Sequence, residues 1–144
     1  MPTNTLGTAA RQDPRQVTNT LKLTVNFGDT GISTGIGFSN FLPQSAFITG
    51  VWVEVVTAFN AATTNTLTVG TVSTAYNNIV ASADLAGNGT ASLATGVTQV
   101  TRGLGRSLTA AADIQPFVKY VQTGTAATTG QAIVVIEFEG GFIS

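Results

Sequence analysis

Chemistry needs particular side chains, and this polypeptide supplies few of them. The 144 residues include no histidine and no cysteine. The common neutral-pH base, the imidazole ligand, the thiolate nucleophile, the cysteine-based zinc site and the disulfide are therefore all excluded. What remains for acid–base work is carboxylate. Glu137 and Glu139 stand two apart; on a strand they share a face about 7 Å apart, a spacing compatible with inverting glycoside hydrolysis. No basic, amide-rich or aromatic cluster accompanies them in the sequence, and Gly140 and Gly141 follow directly. They read as charges on an exposed strand edge, where they discourage unwanted pairing.

Asp29, Asp84 and Asp113 each occupy a turn-like place, where a short carboxylate bonds nearby backbone amides. Calcium needs several oxygens converging from one loop or from neighbouring loops, and no Asp-x-Asp-x-Asp arrangement exists. Gly35-Ile36-Gly37 and Gly103-Leu104-Gly105-Arg106 have some of the glycines of a phosphate loop. They lack its strand-to-helix setting and its Lys-Ser/Thr ending, and read as turns or bulges. Trp52 and Tyr76 are the side chains best suited to stacking on a sugar ring. Trp52 lies between Val51 and Val53 in the most apolar stretch, so burial in the core or at a subunit interface is the stronger expectation. No catalytic residue, metal site or cofactor is expected.

The elements that would position these residues are strands. Leu21, Leu23, Val25 and Phe27 alternate with Lys22, Thr24 and Asn26, the period of a half-buried strand. After a turn at 28–31, Ile32, Thr34, Ile36 and Phe38 alternate again as a second, irregular strand. The longest signal runs over 46–59, with Phe47, Val51, Val53, Val55 and Phe59 on one side and Ile48, Trp52 and Val56 on the other. Two apolar faces predict a strand covered on both sides for part of its length. A polar loop at 60–65 and an alternating run at 66–70 predict a hairpin with that strand. Residues 77–86 fit either a short helix or a strand, 87–89 a turn, and 92–100 a further strand. A bend follows near 103–106, then loop or a single helical turn over 107–113. Strands at 117–122 and 132–138 close the chain. The expected fold is all-β: an antiparallel β-sandwich, as a jelly roll of about eight strands. Residues 1–16 are polar, broken by Pro2, Gly7 and Pro14, and form an extended arm before a single domain at 17–144.

Composition narrows the partners. Only 9% of residues are charged, against roughly 25% in an ordinary soluble domain. The chain holds instead 25 Thr, 18 Ala, 16 Gly and 9 Asn, so a surface of hydroxyls, amides and small side chains is expected, which suits a protein surrounded by other protein. The six cations, Arg11, Arg15, Lys22, Arg102, Arg106 and Lys119, are scattered and the net charge is −1, so no nucleic-acid partner is expected. No apolar run approaches the roughly 20 residues of a spanning helix, so no membrane is expected either. The opening Met1-Pro2-Thr3-Asn4-Thr5-Leu6-Gly7 lacks the basic start and apolar core of a secretory signal, and synthesis in a cytoplasm is the expectation.

The stretch Val53-Glu54-Val55-Val56-Thr57-Ala58-Phe59-Asn60, followed by Asn65-Thr66-Leu67-Thr68-Val69-Gly70-Thr71, resembles the head decoration, or cement, proteins of tailed bacteriophages. The segment Tyr120-Val121-Gln122-Thr123-Gly124-Thr125-Ala126-Ala127-Thr128-Thr129-Gly130, running into Ile136-Glu137-Phe138, looks like the same group. The resemblance spans about residues 46–138. It implies a jelly-roll protein on the outside of a capsid, made in the bacterial host cytoplasm, which bridges capsomers and stabilises the shell. Its partners would be the major capsid protein and its own copies, as a homodimer or homotrimer. Interface residues on this reading are Arg11, Asp13, Arg15, Trp52, Val56, Phe59 and Tyr76, with Arg11 and Arg15 pairing with acidic capsid groups. The competing expectations are a receptor- or carbohydrate-binding tail or fibre module using Trp52, Tyr76 or 60–65, and a tail-tube or joining protein.

Overall fold

The computed structural model describes residues 18–102, 104–105 and 112–139. Seven strands form two antiparallel sheets: β1 (Thr18–Asn26), β2 (Ile36–Gly37), β3 (Phe47–Thr57), β4 (Thr64–Gly70), β5 (Gly96–Gln99), β6 (Phe117–Thr123) and β7 (Gln131–Glu139). The four-stranded sheet has the order β1-β7-β3-β5 and the three-stranded sheet the order β2-β6-β4. The chain thus passes repeatedly from one sheet to the other. A fourth place beside β4 is held by the bridge Val69↔Val80, so the segment expected as either helix or strand supplies one bridge and then a 3₁₀ turn at Ser82–Asp84.

Alternation decides what is inside. On β7, Ala132, Val134, Ile136 and Phe138 are buried while Ile133, Val135, Glu137 and Glu139 face outward, half-covered. Leu21 and Val25 of β1 and Val51, Val53 and Val55 of β3 join the buried set. The second sheet contributes Leu67, Val69, Val118 and Tyr120. Phe59 and Tyr120 meet with ring centroids 4.6 Å apart. Gly130, at φ +149°, lies where a Cβ would strike the Phe59 ring.

Four sequence expectations change. The long strand contains register shifts between Ile48 and Gly50 and between Val55 and Thr57. An inserted residue reverses the alternation, so Ile48 is buried and Phe47 is 39% exposed. The run at 66–70 makes no hairpin with β3. β4 lies in the other sheet, paired with β6, whereas β3 lies between β7 and β5. The second strand shrinks to Ile36–Gly37, because 29–35 closes successive turns through Ile32 N–H to Asp29 O and Gly35 N–H to Gly31 O. Finally, β7 is an interior strand, so Glu137 and Glu139 guard no edge. The expected arm at 1–16 lies outside the described residues, as do Gly103 and most of 107–113.

Candidate interaction surface

The outer face of the four-stranded sheet is the most unusual surface of the molecule. Register places Lys22, Val135, Trp52 and Gln99 in one row and Thr24, Ile133, Glu54 and Val97 in the next. Ile133, Val135 and Trp52 are half-buried and Val97 is 67% exposed. The indole of Trp52 lies along its own strand over Gly50, its ring atoms filling the space a Cβ there would take. Any larger residue at position 50 would lift the ring off the sheet. Beside it, Glu137 pairs in register with Gly50 and accepts a 3.0 Å bond from the Thr49 hydroxyl. Glu54 and Glu139 complete three carboxylates around the aromatic and aliphatic centre, with Lys22 the cation on this face.

The opposite sheet is different in kind. Tyr76 stacks on Phe117 with centroids 4.7 Å apart and planes 25° from parallel, and the Tyr76 ring packs over Gly35. Lys119 donates to the Thr74 carbonyl at 3.0 Å. The outer edge of β4 is sealed. Asn88 accepts from Leu67 N–H at 2.7 Å and donates to Leu67 O at 2.8 Å, taking the place of a strand. Asn65 N–H bonds Thr90 O, Val69 N–H bonds Val80 O, and Asn78 accepts from Thr71 N–H. In the four-stranded sheet β1 pairs with β7.

Among the described residues no group of three metal-ligating side chains converges. Asp29 accepts from Asn26 N–H and Asp84 from Ala81 N–H, both at 2.8 Å, as turn residues should. Asp113 reaches instead to the distant Gln44 N–H at 2.7 Å. Asp84 also holds Arg102 through two bonds of 2.6 and 3.1 Å, and this guanidinium holds the carboxyl below its ordinary range despite opposing burial. An apolar recess lined by Val55, Leu85, Leu93 and Thr98 opens beside β5 without a charged or catalytic group.

The residues expected at an interface are dispersed. Trp52 is on the outer face rather than in the core, Val56 is 41% exposed at the second bulge of the same strand, and Tyr76 belongs to the other sheet's surface. Phe59 is fully buried; it stabilises the core and offers nothing to a neighbour. Arg11, Asp13 and Arg15 lie outside the described residues. Sequence reading missed Val97, Ile133, Val135 and Glu54 as companions of Trp52, because only the register of three strands brings them together.

The fold is similar to that of a solved chain from the cyanophage Pam1 capsid asymmetric unit, with a TM-score of 0.59 and 20% identity, over 84% of this chain and 83% of that one. No family model matches the sequence, and no curated protein matches it.

Proposed function

We propose that the protein is a structural virion component that decorates the outside of a phage capsid, bridging and stabilising the major capsid protein. The observation that carries this reading is the likeness in fold, over most of both chains, to a chain of a cyanophage capsid asymmetric unit. The chemistry agrees: a chain rich in threonine, alanine and asparagine with only 9% charged residues presents a surface that is cheap to desolvate against other protein. Many copies acting together make weak individual contacts sufficient. On this reading the protein is adhesive rather than enzymatic, works as a dimer or trimer, and needs no cofactor.

Residues 1–16 serve as an attaching arm. A chain lacking them is expected to keep its fold, because the buried core among the described residues runs from Leu21 to Phe138, but to bind particles of the parent phage more weakly. Attachment equal to that of the whole chain would refute the arm's role. Cryo-electron microscopy of the parent particle tests the location: density for this sandwich over capsomer junctions is expected. Density in the tail would instead establish a tube, joining or receptor-binding role.

A further inference from the structure

The outer face of the four-stranded sheet is built to take an arginine. The flat indole of Trp52 packs over Gly50 and is only half-buried, and guanidinium groups stack on such rings. Glu137 stands across from Gly50 in register, beside the ring. Its Oε1 is already oriented by the Thr49 hydroxyl, leaving lone pairs for a second, charged donor. Glu54 lies two residues beyond Trp52 on β3 and on the same face, about 7 Å from it, and Glu139 two residues beyond Glu137 on β7. None of the three carboxylates forms an ion pair among the described residues, where Arg102 is taken by Asp84 and Lys119 by the Thr74 carbonyl. Among the described residues Lys22 is the one cation on the face. The patch therefore combines net negative charge with an apolar centre.

One segment of this chain has the matching chemistry and starts at the right place. Residues 1–17 lead into Thr18, which pairs directly with Glu139. Arg15 is three residues upstream, a reach of at most about 10 Å, and Arg11 is seven residues upstream, a reach of about 23 Å. Both therefore have access to Glu139, Glu137 and Trp52 without help from another molecule. We propose that Arg11 and Arg15 root the N-terminal segment on the outer face of its own sheet, one guanidinium stacked on Trp52 and paired with Glu137. Rooting restricts the directions in which residues 1–10 leave the domain, lowering the entropic cost of engaging a neighbour. The inference concerns the isolated chain and does not depend on its being a capsid component.

Trp52 is the single tryptophan, so its fluorescence reads this face alone. Acrylamide quenching is measured on the full-length chain at submicromolar concentration, for wild type, R11Q/R15Q and E137Q. Removing the arginines, or the charge of Glu137, is expected to raise the quenching constant about twofold, as loss of one stacked cation should. Salt near 1 M, where screening acts over about 3 Å, should raise it in wild type and leave R11Q/R15Q unchanged. An unchanged thermal midpoint certifies the fold, and the salt series on wild type needs no variant. Equal quenching in wild type and R11Q/R15Q at low salt overturns the proposal. So does shielding that strengthens with protein concentration, which would make a second copy the occupant.

Discussion

At the scale of single residues, Asn65 shows how a polar group is made to belong in a core. It is fully buried, and its amide accepts from Ala61 N–H at 2.9 Å and from the Tyr120 hydroxyl at 2.5 Å while donating to Ala61 O and Thr90 O. Two lone pairs and two hydrogens are all used, so burial leaves nothing unpaired. Burial also raises the Tyr120 pKa, which keeps its hydroxyl a donor. Asp84 is a titratable counterpart. Its bond to Arg102, helped by Ala81 N–H, lowers its pKa in the folded chain. The stability it gives is present above the unfolded value of about 4 and disappears as pH falls through the lower folded value. Asp84→Asn is therefore expected to lower the thermal midpoint at neutral pH, with the gap to wild type closing in acid. A gap constant from pH 7 to pH 2 would show that the charge contributes nothing.

At the scale of elements, the border strand β4 is closed off by loop side chains. An unpaired strand edge invites another chain to add to it. Along β4 this is prevented by side chains: Asn88 occupies both the N–H and the C=O of Leu67. Asn88→Ala leaves those two groups without protein partners, at a cost of about 1–3 kcal/mol. The expected result is a lower denaturation midpoint and faster amide exchange at Leu67 than at Val118, which lies on the neighbouring β6. Unchanged exchange at Leu67 would mean that water replaces the asparagine without loss. The bulges of β3 show the converse use of irregularity. By inserting a residue near Thr49, the first keeps Ile48 in the core together with Val51, Val53 and Val55, although the sequence does not alternate strictly from 48 to 51.

At the scale of the molecule, one sandwich buries its aliphatic residues between two sheets and leaves a second apolar surface on the outer side of one of them. Exposed apolar patches ringed by polar groups mark places of contact. Together with the low charge, this underlies the expectation of self-association in the proposed role: light scattering at micromolar concentration should give the mass of a dimer or trimer. A monomer at that concentration would remove the oligomer from the proposal and leave attachment to be decided on the particle itself. No helix among the described residues is long and apolar enough to cross a membrane.

The sequence by itself determined the all-β class, the positions of the long strands and the absence of histidine and cysteine chemistry, because alternation and composition are local properties that survive without knowledge of neighbours. It also identified Trp52 as an unusual residue. Only the tertiary structure decided that β4 crosses to the other sheet, that Glu137 lies on an interior strand, and that Phe59 is core while Trp52 is not. Each of these depends on which strands pair and in what register. Pairing joins residues such as Gly50 and Glu137, far apart in the chain, and a one-residue bulge exchanges the two faces of a strand without leaving a mark in its composition.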